Sequence, residues 1–397
     1  MQTIKKFFKV FFFIFALAFF SLLIGVVGDQ WLFPWLTSFP ALNRFQFFQK
    51  SNEKTTIINK TEQVIVREDN SLAKAAEKVS PSLVEVVAFL ETDGAKTLQI
   101  NQDRRMKARE GLTVTSDGLI MSVADEETGT FLLQNKKIKF KVLFASGAEA
   151  DASLVDYDFY SNLIFYRIEN ANNWTVPAWG DSRNLESGDK VAVCSFSEKG
   201  RRPLSLTDVI RSREDGFSLL NSELSFSEKM EGAIFLLSNG SIDENNVGSP
   251  VVNVDGDVVG IASFFQKNNQ KIGFVLPLDL IDKTIEKAVK NEPFARPALG
   301  VYYLSIDKEL AIANNLSADS GALVYSFSGQ QGLAVLKNSS ADKAGIKIGD
   351  IITELGGEKI TTDRPLSELV SEQKKGEKIK MKLFRDGKES ELELVLE

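Results

Sequence analysis

Ser241-Ile-Asp-Glu-Asn-Asn-Val-Gly-Ser-Pro-Val-Val-Asn253, continued directly by Val254-Asp-Gly-Asp-Val-Val-Gly-Ile-Ala262, is the stretch on which the fold turns. Its second half is a hairpin. Val251-Val252 and Val258-Val259-Gly260-Ile261-Ala262 are β-rich runs, and Asn253, Asp255, Gly256 and Asp257 between them are turn residues. The same punctuation recurs to either side. Gly111-Leu-Thr-Val-Thr-Ser-Asp-Gly-Leu-Ile-Met121 turns at Asp117-Gly118, and Phe384-Arg-Asp-Gly-Lys388 turns at Asp386-Gly387. Helical spacing is rarer; Leu280/Ile281, Thr284/Ile285 and Ala288/Val289 make one such stripe, with a lysine near its end.

The first half of the opening stretch resembles the nucleophile loop of HtrA-type, trypsin-like serine proteases, in which Gly-Asn-Ser-Gly-Gly-Pro precedes such a hairpin. The six places hold Asn245, Asn246, Val247, Gly248, Ser249 and Pro250. The resemblance runs from Ser71 to about Asn291. It takes in the opening helix and strand at Ala73–Val87, the Trp179-Gly-Asp-Ser182 turn and a closing Gly273-Phe-Val-Leu-Pro-Leu278. From Ala298 to Glu397 the chain looks like a bacterial-type PDZ domain, most specifically in Ala341-Asp-Lys-Ala-Gly-Ile-Lys-Ile-Gly-Asp-Ile-Ile352. The fold implied is mostly β: two six-stranded β-barrels of the chymotrypsin type, then an α+β PDZ domain, behind an N-terminal transmembrane helix.

Each triad position in that frame is altered. Asp125 stands where the catalytic His belongs, Asn162 where the Asp belongs, and Val247 where the Ser belongs. An isopropyl group has neither a proton to give nor a lone pair to attack with, and an amide does not stabilise an imidazolium as a carboxylate does. Losing the nucleophile or base of such a triad costs on the order of a millionfold in turnover, or about 8 kcal/mol of barrier. Asn245 and Ser249 also replace two glycines whose φ freedom shapes the oxyanion loop. Ser249 invites a rescue hypothesis with Lys229 as base, against the plainer reading of a loop hydroxyl in a local hydrogen bond. Asp125-Glu126-Glu127 is an acidic loop whose plainer reading is solvation rather than metal binding.

Composition narrows the chemistry further. The 397 residues are 43% hydrophobic and 25% charged, enough for a sizeable core and for two or three domains. A net charge of −7 without a basic stripe argues against nucleic acid. The chain contains no histidine and one cysteine, Cys194, in an apolar strand. That removes the usual general base and the commonest transition-metal ligand, so no cofactor or zinc is expected.

Phe7–Val27 is apolar apart from Lys9, Ser21 and Gly25. As a helix its length matches a hydrocarbon core of about 30 Å. Lys5, Lys6 and Lys9 precede it and no Lys or Arg follows until Arg44, which puts the N-terminus in the cytoplasm and the bulk outside. A single-pass anchor is preferred to a cleaved signal peptide, since no clear Ala-x-Ala site follows. Trp31, Phe33, Trp35, Phe39, Phe45, Phe47 and Phe48 suit either a membrane belt or packing between subunits of an HtrA-like homo- or hetero-trimer. The expected layout is a basic end and anchor at 1–28, an aromatic segment and linker at 29–70, the protease-fold domain at 71–292 and the PDZ domain at 298–397.

The resemblance leaves one function with its parts intact, recognition of peptide or protein C-termini. The amides of Ala298-Leu-Gly-Val301 form the expected carboxylate loop, and Val301–Leu304 the strand edge to which a peptide adds. Leu299, Val301, Leu366, Leu369 and Val370 are expected to line the pocket for the last side chain, with Arg296 adding charge. The expectation is a membrane-anchored pseudoprotease that binds peptides. A working endopeptidase with a rearranged site, or a PDZ adaptor held off the membrane by the barrels, are the alternatives.

Overall fold

The computed structural model describes residues 68–90, 109–169, 173–197, 202–218, 224–267 and 270–397, with Ala16, Leu17, Phe19 and Ser21 besides. Those four are helical; the rest of Phe7–Val27, the aromatic segment and the linker up to residue 67 lie outside the described residues. Among the described residues no helix is long and apolar enough to cross a membrane.

Helix α1 (Glu68–Val79) begins inside the stretch read from sequence as linker. Leu72, Ala75, Ala76 and Val79 are its buried face, the spacing of one helical stripe. Six strands close the first barrel in the order β1-β2-β3-β6-β5-β4. They are β1 (Leu83–Leu90), β2 (Arg109–Thr113), β3 (Leu119–Val123), β4 (Ile138–Phe144), β5 (Glu149–Asp158) and β6 (Leu163–Ile168), with α2 (Glu126–Gln134) between β3 and β4. β3 is buried along its whole length, whereas β4 alternates at its start (Ile138, Phe140 and Val142 in, Lys139 out), as a strand with one wet face must.

The second barrel closes as β10-β13-β12-β11-β7-β8. Its strands are β7 (Lys190–Phe196), β8 (Pro203–Ser218), β10 (Glu231–Leu237), β11 (Pro250–Val252), β12 (Val258–Lys267) and β13 (Gln270–Pro277). The hairpin read from Val251 to Ala262 is β11 paired with β12. Asn253 Oδ1 accepts the amides of Asp255 and Asp257 in its turn, and Lys78 on α1 holds Asp257 at 3.0 Å. Helix α3 (Leu278–Val289) follows, burying Ile281, Thr284 and Ala288.

The C-terminal domain has its own core, with Leu299, Val301, Tyr303, Ile352, Leu355, Leu366, Leu369 and Val370 among its members. Its elements are β14 (Tyr302–Ile306), α4 (Lys308–Asn314), β15 (Gly321–Val324), α5 (Gln331–Ala334), α6 (Ser340–Lys343), β16 (Ile351–Leu355), β17 (Glu358–Lys359), α7 (Leu366–Glu372), β18 (Lys378–Arg385) and β19 (Lys388–Val395). Their sheet runs β19-β18-β16-β15-β14-β9. The last strand, β9 (Ser225–Phe226), comes from between β8 and β10 and so belongs by sequence to the second barrel.

Candidate functional site

Two residues after β3, Asp125 caps α2. Its carboxylate accepts the Thr128 amide at 2.8 Å and pairs with Arg109 at 3.2 Å. A short acidic side chain is favoured there because the first amides of a helix lack intrahelical partners. Glu126 and Glu127 fall in the same first turn. Asn162, between β5 and β6, sits at φ 61, a left-handed conformation that asparagine tolerates. Its Oδ1 accepts the Tyr157 hydroxyl at 2.7 Å and Lys229 Nζ at 3.4 Å. Lys229, almost wholly buried, also donates to the Phe159 carbonyl at 2.6 Å and pairs with Glu126 at 2.9 Å.

Val247 is 2% exposed and belongs to the main core. The loop before it is closed on itself. The Asn245 amide donates to the Asp243 carboxylate at 2.7 Å, the Asp243 amide to Asn246 Oδ1, and Asn246 Nδ2 to the Ser241 carbonyl. In the frame implied by sequence, the Asn245 amide is one that an oxyanion would need, and an acid already occupies it. Gly248, at φ +90, lies so close to β2 that a Cβ there would come within 2.0 Å of the Glu110 carbonyl.

Ser249 is fully buried and donates to the Glu110 carboxylate, which also accepts from Ser195 Oγ and the Phe196 amide at 2.9 Å each. The pairing with Lys229 that sequence invites is therefore not formed. The hydroxyl's bond is also long-range, across the two barrels, rather than local. Burial pushes the Glu110 carboxyl up to about 7, against the lowering pull of Ser249, the Phe196 amide and Ser195.

In the C-terminal domain the amides read from sequence as a carboxylate loop are taken up by side chains of the same chain. The Leu299 and Gly300 amides donate to Glu228 Oε1 at 2.6 and 2.7 Å. Ser227 Oγ accepts from Gly300 at 3.2 Å and Val301 at 3.0 Å. Gly300, at φ +84, is required, since a Cβ would meet the Ser339 side chain at 2.4 Å. The Ala298 amide does not join this cluster; it donates to the Glu397 carbonyl at 2.7 Å. The strand edge is not free either, because β9 pairs antiparallel with β14, Phe226 opposite Tyr302 and Ser225 opposite Tyr303.

Leu299, Val301, Leu366, Leu369 and Val370 are buried in the domain core. Arg296 is turned away from the loop. Its guanidinium lies 3.0 Å from the buried Asp158 carboxylate, donates to Thr284 Oγ1 at 2.8 Å and covers the Tyr160 ring at 4.3 Å. Reasoning from sequence missed Ser227, Glu228 and Glu231. The last accepts the Tyr303 hydroxyl at 2.5 Å and the Ser305 hydroxyl. Ser225-Phe-Ser-Glu228 carries a strand-like alternation ending in a carboxylate, but nothing local says which sheet it joins.

Two closed six-stranded barrels followed by a small domain with an anion-holding loop define a trypsin-like peptidase fold joined to a PDZ domain. Family comparison agrees, matching residues 105–261 to the trypsin-like peptidase domain and 297–396 to the PDZ domain. The chain is a homologue of the HtrA-type serine proteases. It is 30% identical over 276 residues to the periplasmic serine endoprotease DegP of Escherichia coli, which covers 68% of this chain and 54% of that protein. It is 28% identical over 343 residues to the periplasmic pH-dependent serine endoprotease DegQ of the same organism, covering 82% and 70%. The serine protease Do-like HtrA of Lactococcus lactis is 23% identical over 358 residues, 85% of either chain. The chain thus spans about half the length of the DegP protein it matches. Among solved structures, the HtrA-type protease AlgW with a tripeptide superposes with a TM-score of 0.60 at 18% identity, covering 82% of this chain and 96% of that one.

Proposed function

We propose that this protein is a membrane-anchored, catalytically inactive HtrA-type pseudoprotease. On this reading it binds peptides or partner proteins outside the cytoplasm and scaffolds or regulates an active relative in protein quality control. The observation that carries the proposal is the fate of Asp125, Asn162 and Val247: a helix cap, a hydrogen-bond acceptor and a core residue, in a chain with no histidine. Val247 has no atom with which to attack a carbonyl, Asn162 carries no charge to orient a base, and the Asp125 carboxylate is engaged by the Thr128 amide and Arg109. The periplasmic relatives and the basic, then apolar, N-terminus support an extracytoplasmic location behind an anchor at Phe7–Val27. The peptide site proposed is the amide cluster at Leu299, Gly300 and Val301, framed by Ala298, Leu366, Leu369 and Val370.

A rearranged endopeptidase has one observation in its favour. Ser249 is hydrogen-bonded to Glu110, a carboxyl pushed up to about 7, where a general base operates well. Against it, Ser249 is 0% exposed, so no substrate carbonyl reaches the hydroxyl. An unfolded fluorogenic protein substrate separates the readings. The full-length chain is expected to give no turnover. Cleavage by the unmodified protein that disappears in Ser249→Ala would establish the rearranged protease instead.

A further inference from the structure

Ser225–Glu228, from between β8 and β10, lies in the PDZ groove as a peptide would. It runs antiparallel to β14, with Ser225 opposite Tyr303 and Phe226 opposite Tyr302. Phe226 stacks on the Tyr302 ring at 4.5 Å between centroids. The Ser227 amide then donates to the Val301 carbonyl at 3.1 Å, continuing the ladder to the amide cluster. A peptide ending at a carboxylate loop adds to the strand edge by the same main-chain bonds, with its terminus at the amides. Here the chain continues, and the anion held by Leu299 and Gly300 is the side chain of Glu228. Glu228 is half-buried, and that burial pushes its carboxyl above the usual range against the lowering pull of Ser227 and the two amides.

The next residue faces the other way. Lys229 donates its amide to the Phe226 carbonyl, closing a turn. Its ammonium reaches Phe159, Asn162 and Glu126, where the sequence frame places the catalytic Asp and His. Met230 then donates to the Tyr160 carbonyl at 2.9 Å, and the chain re-enters its barrel at Glu231. Adjacent side chains of one turn therefore hold the peptide groove and the emptied triad position at once.

We propose that Ser225–Glu228 is an internal ligand of the PDZ groove. The Glu228 side-chain carboxylate stands in for a peptide's terminal carboxylate, and a partner's C-terminus enters by displacing it. The inference rests on the reading of the groove as a C-terminus site. An internal ligand competes at the high effective concentration of a tethered group, so an outside peptide binds only as well as the open fraction allows.

The test is a polarisation titration of the full-length chain in detergent. The probe is a fluorescein-labelled decapeptide ending in a free Val carboxylate, beside its C-terminally amidated form. Glu228→Ala is expected to bind the free acid about tenfold more tightly than the unmodified protein, since a charge-assisted pair of bonds no longer competes. Ser227→Ala, which removes one acceptor oxygen, is expected to gain about threefold and carries the test if Glu228→Ala unfolds. The amidated peptide should bind none of the three. Equal affinity for the free acid in all three forms, each with unchanged cooperative unfolding, would overturn the internal ligand and leave C-terminus recognition standing. Failure of every folded form to bind the free acid would overturn the recognition reading, and displacement with it.

Discussion

At Asp125, Asn162 and Val247 each side chain has been absorbed into structure, as a cap, an acceptor and a core residue. At Leu299–Val301 the amides still converge as for an anion, and the anion they hold is the chain's own Glu228. On the proposed reading the first region has no nucleophile at Val247; the second keeps its donors and has them occupied. Loss of the kind proposed is spread over several residues and is not expected to be reversed by restoring one. Occupancy hangs on a few hydrogen bonds and yields to a single substitution. The turn at Glu228 and Lys229 touches both regions, Glu228 at the loop amides and Lys229 at Asn162.

The largest expected effect lies under the Asn245–Pro250 loop and tests whether that loop is structural. Glu110 titrates near 7 in the folded chain against an ordinary 4.5, because burial disfavours its charge. A carboxyl whose folded value is raised contributes stability that is fully present below about pH 4.5 and is lost as pH rises through about 7. At about 1.4 kcal/mol per pH unit the loss amounts to about 3 kcal/mol. Urea unfolding of the unmodified protein should show that decline, and Glu110→Gln should flatten it. A pH-independent midpoint would mean that the carboxylate under Ser249 is not desolvated, and the loop would be more open than described.

A smaller effect is expected at Val247. Val247→Ser puts a hydroxyl into the core in place of two methyl groups, at a cost of about 2 kcal/mol. No peptidase activity should appear, because a serine without a base keeps its proton at neutral pH. Stability is read by denaturant melts and activity by cleavage of an unfolded substrate. Turnover by this single variant would break the comparison, since it would show the first region to be one substitution from function.

The sequence was informative where turn chemistry and period act locally. Asn253-Val-Asp-Gly-Asp257 and Asp386-Gly387 turn as read, and Leu366, Leu369 and Val370 share one buried helical face. The absence of histidine needed no coordinates. The partners of charged groups were not legible, because they come from elements distant in sequence. Arg296, beside the PDZ loop in sequence, pairs with Asp158, and Ser249 finds Glu110 in the other barrel. Above all, Ser225–Glu228 belongs to one domain by sequence and to the sheet of another by hydrogen bonding. Period and composition carry no term for that exchange. A register between β9 and β14 exists only once both domains are folded and docked.

Amide hydrogen exchange at Leu299, Gly300 and Val301 in the full-length chain is the most direct measurement of whether the groove is self-occupied. Without any peptide, Gly300 and Val301 should be protected together with the Ser227 amide. Adding the free-acid decapeptide should raise exchange at Ser227 and keep Leu299–Val301 protected, while the amidated peptide changes neither. Fast exchange at Ser227 and Gly300 in the peptide-free protein would contradict the account, because an open groove holds no ligand of its own.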